Sequence, residues 1–448
     1  MRANADLQLR TRRGTVSSGV LLTAALSIAL SLSMLTGCMG SSTPPVPPLA
    51  SETWHTGNFR FLESISADLV TFVQGLEHPN NGKYGKLSSA RKGDFNELLD
   101  TLFGAINASL IDGNTGDWCA VRSKASAAGY AIARFYDTGS GRWLVHGSDT
   151  TAFGQAYFFI NPFAKRNIVI EVPHEGFEAD TGVEGARLFR DLAARALIIN
   201  KEHRCSDPDT TTCGNAATAV CNGQLRESDV AHHTANTFYL LHVRFNDMDF
   251  QTKFVQLHGF TSSVGDMVEV GDGTNSDVAS ASVSNTFAKS LRSHVPDAAA
   301  VHSCQEEAGD PPSNLCGETN VEGRYTHQPG TSDCPPAASA SSARFLHIEQ
   351  ALTLRDDDNG DGWFWGDVRD ALLATWPDCN MNNGATDCTV GPEQTHDEGL
   401  SCSTARASAR DIAHDGFSGR DSTDLISCLF LEWNRWPFSY ERANHSAR

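Results

Sequence analysis

Twelve cysteines without a single Cys-x-x-Cys pair exclude a structural zinc ribbon. Long hydrophobic runs are also lacking. The apolar stretch at 20–35 is 16 residues long, too short and wrongly flanked for a membrane span. Positive charge is scarce: 35 Lys and Arg stand against 54 Asp and Glu, a net charge of −19. A surface this acidic repels a phosphate backbone, so nucleic acid is not an expected partner. No internal repeat divides the chain.

What is present begins with a basic start at Arg2, Arg10, Arg12 and Arg13, then the apolar run, then Leu35-Thr-Gly-Cys38. That end resembles the bacterial lipobox, whose cysteine is lipidated after cleavage. The resemblance implies a signal peptide over 1–37, a lipid on Cys38, and a Pro-rich linker over 38–50. Met39 rather than Asp follows the cysteine, so nothing argues for inner-membrane retention. The expected location is the cell envelope, as an outer-membrane lipoprotein facing the periplasm or cell surface and touching the membrane through its lipid alone. An ordinary secretory signal with a chance cysteine is the plainer alternative. Removal of 1–37 takes away four arginines and one aspartate, moving the net charge to −22. Eleven further cysteines, mostly in Gly-, Pro-, Ser- and Thr-rich stretches, suit an exported, disulfide-stapled protein. An odd number leaves one thiol over, and sequence does not fix the pairing.

Periodicity gives the rest of the frame. Residues 61–76 and 95–110 read as helices, and 131–136, 143–146, 155–160 and 167–172 as strands. A helix over 183–195 and a strand over 196–200 follow. Ser228 is expected to cap a helix with the apolar stripe Thr234, Phe238, Leu241 and Phe245. Further helices are expected near 279–293, 368–376 and 425–433. Strands alternating with helices imply an α/β layered sheet over 51–354. Beyond it, 355–448 shifts to Asp, Asn, Gly and Cys and reads as a disulfide-rich, loop-rich C-terminal extension.

Three strands carry ionisable groups at or near their C-terminal ends: Ile168-Val-Ile-Glu-Val-Pro-His174, Phe254-Val-Gln-Leu-His258-Gly, and Arg344-Phe-Leu-His347-Ile-Glu349. Ligands of open α/β sheets bind there. Two neutral imidazoles and a carboxylate, with one position open, are the donor set of a catalytic zinc ion. The loop after His174 offers Glu175, Glu178, Asp180 and Glu184. Glu178 is the first choice as the carboxylate ligand, with Asp180 and Glu175 behind it, and a solvated acidic loop as the alternative. His258 is the second imidazole, or else a satisfied core histidine. Gly259 after it would let a substrate approach closely. Glu349 sits on an otherwise apolar strand, where a carboxylate is costly unless paired or functional. It fits a general base, or a structural ion pair.

The order strand–His–acidic loop, strand–His, strand–Glu resembles the zinc metallocarboxypeptidase-like superfamily. It lies nearer the N-formylglutamate amidohydrolase and poly-gamma-glutamate hydrolase branches. The resemblance covers roughly 167–354 and implies a three-layer α/β/α sandwich around a mixed sheet. It also implies His174 and His258 as zinc ligands and Glu349 as the base. The H-x-x-E of the carboxypeptidases is not kept, because Phe177 stands at that glutamate. Glu178 with Glu184 is more similar to the longer His-to-Glu gap of the poly-gamma-glutamate type.

His203 and Arg204 follow a strand end, and Arg204 could grip a substrate carboxylate. His232, Asn236 and Tyr239 share a helical spacing that could line the pocket, with a solvated face as the alternative. Arg324 is a second anion-binding candidate. Asp357-Asp-Asn359-Gly-Asp361-Gly362 matches the first half of an EF-hand calcium loop, with Val368 where the twelfth position wants Glu. The expectation is a zinc-dependent hydrolase of amide or peptide-like bonds in a small, carboxylate-bearing, peptide- or polyglutamate-like substrate. The rival is a non-enzymatic, calcium-binding surface lipoprotein with a structural or adhesive role.

Overall fold

The structure, a computed structural model, describes residues 62–111, 117–151, 154–213, 220–260, 268–274, 282–295, 300–305, 315–330, 334–355, 363–377, 380–382 and 385–387. These belong to the first of two compact units, 1–389 and 390–448. The signal-like segment with Cys38, the calcium-like loop with Asp357, Asn359 and Asp361, and cysteines 379, 388, 402 and 428 lie outside the described residues. So does the helix expected near 425–433.

Ten strands run through the main sheet: β1 (Glu63–Ala67), β2 (Tyr130–Asp137), β3 (Arg142–Asp149), β4 (Tyr157–Ile160), β5 (Arg166–Val172), β6 (Ala194–Ile199), β7 (Lys253–Phe260), β8 (Val268–Gly271), β9 (Val301–Ser303) and β10 (Phe345–Ala351). Their spatial order is β1-β2-β3-β4-β6-β5-β7-β10-β8-β9. The centre, β6-β5-β7-β10, is parallel. Antiparallel neighbours β4 and β8 flank it, which makes the sheet mixed and the class α/β. A small hairpin, β11 (Asn380–Asn382) with β12 (Ala385–Asp387), joins β5 at Arg166.

The central strands are apolar on both sides because both faces are covered. Ile168, Ile170, Val172, Leu197, Ile199, Val255, Leu257, Leu346 and Ile348 face one core. That core is closed by residues of the helices Leu69–Gln74, Thr181–Asp191, Val283–Arg292 and Trp363–Thr375. Val169, Ala196, Ile198, Phe254 and Phe345 face the other, with helices Ser89–Ile111, Trp118–Ala128 and Thr237–Met248.

Several expectations are corrected. Residues 63–67 form an edge strand rather than the start of a helix. Paired in parallel with β2, they take backbone bonds a helix would have kept for itself, and Asp68 caps the helix only afterwards. The helix expected from Ser228 begins at Thr237, capped by Asn236, whose side chain accepts from Tyr239 N–H. The Ser228 hydroxyl instead bonds Arg204 O at 2.8 Å and Asp207 N at 3.0 Å, which holds 228–229 out of any helix. Helix Trp363–Thr375, read as part of an extension, buries Val368, Ala371 and Leu372 in the first core. The expectation that disulfides staple loops holds among the described residues, with Cys205–Cys221, Cys213–Cys334 and Cys304–Cys316.

Close packing gives a test. A Cβ on Gly147 of β3 would lie 2.0 Å from the buried Phe158 ring. One on Gly104, in the helix Ser89–Ile111, would meet nothing within 4 Å. Gly147→Ala is expected to destabilise the protein by about 1–3 kcal/mol through overpacking. Gly104→Ala is expected to stabilise it by up to about 1 kcal/mol through helix propensity. Chemical denaturation of both variants checks the pair, and equal effects would refute the packing described.

Candidate metal centre

The four parallel central strands end on one side, and each delivers a polar group there. β5 leads into His174 and Glu178, β6 into Arg204, while β7 and β10 carry His258 and Glu349 within their last turns of pleat. The register sets His258 directly opposite Glu349. The connection after β5 explains which acid enters the site. Phe177 N–H and Glu178 N–H both bond His174 O, at 2.8 and 2.7 Å, and this tight turn folds Glu178 back over His174. Phe177 points out, 43% exposed. Glu175 is used otherwise: its carboxylate accepts from Gly182 N–H and, at 2.8 Å, from Thr181 Oγ1, and so caps the helix Thr181–Asp191. Asp180, at φ 70°, precedes that helix. Glu184 is buried and bonds Gln350 Nε2 at 2.8 Å, and burial pushes its carboxyl up to about 7.

Donor atoms of His174, Glu178 and His258 lie within 4.8 Å of one another, and so do those of His258, His347 and Glu349. His174 Nδ1 is 2.9 Å from Glu178 Oε1, and His258 Nδ1 is 3.3 Å from Glu178 Oε2. Both rings therefore turn Nδ1 to a common point. Their other nitrogens are anchored outward: His174 Nε2 to Asp229 Oδ1 at 2.8 Å, and His258 Nε2 to Gln256 Oε1 at 2.8 Å. An imidazole that donates Nε2–H to a fixed acceptor offers a bare Nδ1, the arrangement that orients histidine ligands of metals. Two such nitrogens and one carboxylate fit a zinc ion with a fourth position open. Glu349 Oε1 stands 4.0 Å from His258 Nδ1 and 3.3 Å from His347 Nε2.

The electrostatics are tightly balanced. Burial alone would raise the carboxyls of Glu178 and Asp229. His174 and His258 beside Glu178, and Arg204, His232 and His174 beside Asp229, outweigh it and hold both well below the carboxylate range. At His174, burial and the Arg204 charge oppose protonation, but Glu178 and Asp229 prevail and push it up to about 9. Burial, with His347 alongside, pushes His258 down to about 4.

The remaining candidates divide. The Arg204 guanidinium is spent within the protein, on Glu178 Oε1 at 3.0 Å and on Asp229 Oδ2 at 2.6 and 3.1 Å. Three of its five N–H donors are so used. His232 bonds Asp229 at 3.0 Å and Thr319 Oγ1 at 3.0 Å, from a short 3-10 turn rather than a helix face. His203 lies with its ring 5.3 Å from that of Phe177. Arg324 binds the carbonyls of Glu318 and Pro335, and none of its described bonds reaches the cluster. The room expected over Gly259 is filled: a Cβ there would lie 2.0 Å from Arg355 Cζ. Sequence reasoning missed Asp229 and Gln256. The sequence places the one in a helix start and the other only in phase with His258.

No protein-family model matches the chain, and no curated protein matches it. Solved structures do. A bacteriophage poly-gamma-glutamate hydrolase is 11% identical, with TM-score 0.28, over 49% of this chain and 87% of that one. A metallo-carboxypeptidase from Pseudomonas aeruginosa is 13% identical, with TM-score 0.26, over 55% of this chain and 63% of that one, so less than two thirds of its length is spanned. A succinylglutamate desuccinylase from Vibrio parahaemolyticus is 11% identical, with TM-score 0.28, over 59% and 80%. At TM-scores this low the likeness carries no argument about chemistry, which must come from the site itself.

The metal-free cluster has a pH signature. His174 has its folded pKa raised from 6.5 to about 9, so its stabilisation is complete below pH 6.5 and is lost as the pH rises through 9. His258 acts in the opposite sense. Lowered to about 4, it contributes above pH 6.5, and that contribution is lost as the pH falls toward 4. Unfolding free energy of chelator-treated protein should therefore fall by roughly 3 kcal/mol between pH 6.5 and 9. His174→Gln should flatten that slope. A slope unchanged in the variant would show that His174 is not the group responsible.

Proposed function

We propose that this chain is a zinc-dependent hydrolase of amide or peptide-like bonds. One observation carries the reading: two histidines with outward-anchored Nε2 atoms turn Nδ1 toward a single point beside Glu178, with Glu349 across from them. His174, Glu178 and His258 would hold the ion. A zinc ion bound there supplies Lewis acidity toward a carbonyl oxygen and toward water.

The protein's own groups then have separate tasks. Glu349 accepts the proton of the attacking water and returns it to the departing nitrogen, a proton carrier of the kind such a bond requires. His347 Nε2, 3.3 Å from Glu349 Oε1, orients that carboxylate. Asp229 holds the His174 ring, and Arg204 offsets the charge of Asp229 and Glu178 so that two buried carboxylates coexist. Cys205 N–H donates to His203 Nδ1 at 3.1 Å, which leaves Nε2–H as that ring's donor. With Arg204 committed inward, His203 beside exposed Phe177 becomes the better candidate to meet a substrate carboxylate. Attachment to the envelope through Cys38 belongs to this proposal on the strength of the lipobox-like sequence. No helix among the described residues is long and apolar enough to cross a membrane.

Two outcomes are expected. In a screen of N-acyl amino acids, γ-glutamyl peptides and cell-wall peptides, zinc-loaded protein should cleave at least one class. Glu349→Gln should lower kcat by about 10²–10⁴ while zinc content stays at the wild-type value. Activity surviving in that variant would remove Glu349 from the reaction. His174 must also surrender a proton to bind metal below its raised pKa. Calorimetry in buffers of differing ionisation enthalpy should therefore record about one proton released per zinc near neutral pH. Proton-free uptake would contradict the ligand set.

A further inference from the structure

Behind His258, on the side away from Glu178, lies a fully buried polar group of which the reading above uses only Gln256. It comprises Glu171 on β5, Gln256 on β7, His242 on the helix Thr237–Met248, and Asn320, Glu322 and Thr326 in and before the helix Val321–His327. Each is at most 1% exposed. Such polar burial is costly unless donors meet acceptors, and of these side-chain atoms Glu322 Oε1 alone is without a partner, so the direction of the bonds can be worked out.

Asn320 comes first. Its Oδ1 accepts from the backbone N–H groups of Glu322 and Gly323, both at 3.0 Å, as the cap of the helix. Its Nδ2 therefore faces the other way, and it donates to Gln256 Oε1. A second route gives the same answer from the far side. The Thr326 hydroxyl donates to Glu322 O at 3.0 Å, so its oxygen accepts from His242 Nε2 at 3.0 Å. The other His242 nitrogen, Nδ1, then accepts at 2.7 Å from Glu171 Oε1, which carries the proton. Burial raises Glu171 and keeps His242 neutral, in agreement with that direction. Glu171 Oε2 is left as an acceptor, and Gln256 Nε2 donates to it at 3.2 Å and to Glu322 Oε2 at 3.4 Å. Both routes set the Gln256 amide the same way round, with Oε1 toward His258. Only an Nε2–H on His258 can satisfy the 2.8 Å bond to that oxygen.

We propose that Gln256 is a positioning residue that locks His258 as its Nε2–H tautomer, so that Nδ1 is the bare nitrogen at the site. Asn320 on one side, and Glu171 with Glu322 on the other, dictate how Gln256 is turned. The consequence for zinc rests on the functional reading above. The tautomer itself does not.

The test is ¹⁵N NMR of histidine-labelled mature chain, freed of metal, together with zinc affinity by chelator competition. Wild type should show His258 as a single Nε2–H tautomer. Gln256→Leu should show a mixture, and its zinc dissociation constant should rise about 10–100-fold. Gln256→Glu, whose carboxyl can still accept from His258 and donate to Glu171, should restore the tautomer and bring zinc affinity back to within a few-fold of wild type. Asn320→Asp keeps the cap acceptor but loses the donor to Gln256, and should loosen the tautomer with the fold intact. It decides the matter if Gln256→Leu does not fold. An unchanged Nε2–H tautomer in the folded Gln256→Leu or Asn320→Asp protein would overturn the proposal. If wild type takes up no zinc while the tautomer shifts as described, the zinc reading fails and the positioning role stands.

Discussion

Two carboxylates, Glu178 and Asp229, sit almost wholly out of water, 4% and 0% exposed, and the surrounding structure depends on keeping them tolerable there. An unpaired buried carboxylate costs several kcal/mol. Here Arg204 bridges the pair and His174 lies between them, with His258 beside Glu178 and His232 beside Asp229, so each negative charge has three positive or proton-donating partners. The loops after β5 and β6 and the 228–232 turn must meet at one place for this to hold. The central strands, all parallel and ending together, are what bring them there.

Much of this frame is legible in the sequence because it rests on local rules. β5, β7 and β10 are apolar runs with polar ends, and their alternation correctly puts Phe254, Gln256 and His258 on one face. Which glutamate follows His174 inward is harder to see. Glu175, Glu178 and Asp180 are chemically similar in a string of letters. A turn that caps one helix with Glu175 and folds Glu178 back decides among them, and that turn is a property of backbone bonds to His174 O.

The misreadings share a cause. Ser228 has the chemistry of a helix cap, and Arg204 the chemistry of an anion fork. Residue type alone suggests these roles, and both side chains are claimed by partners far away in sequence: Ser228 by residues 204 and 207, Arg204 by residues 178 and 229. Asp229 is inconspicuous for the same reason, since nothing within a few residues of it reveals that His174 lies 2.8 Å away. Residues that support a site from behind are specified by tertiary contacts, and a single sequence carries no period or spacing that marks them.

The disulfides give the last consequence. Cys205 is adjacent to Arg204, and its bond to Cys221 closes the loop that leads back to Asp229. Cys213–Cys334 pins that same loop to the segment following the helix that Asn320 caps. Cross-links of this kind restrict the disordered chain and not only the folded one. Both bonds favour the arrangement in which Arg204 meets Asp229. A chain with these thiols reduced would order the same loop at a greater loss of conformational freedom. The loop that carries the charge balance of the site is thus held by covalent bonds as well as by ion pairs.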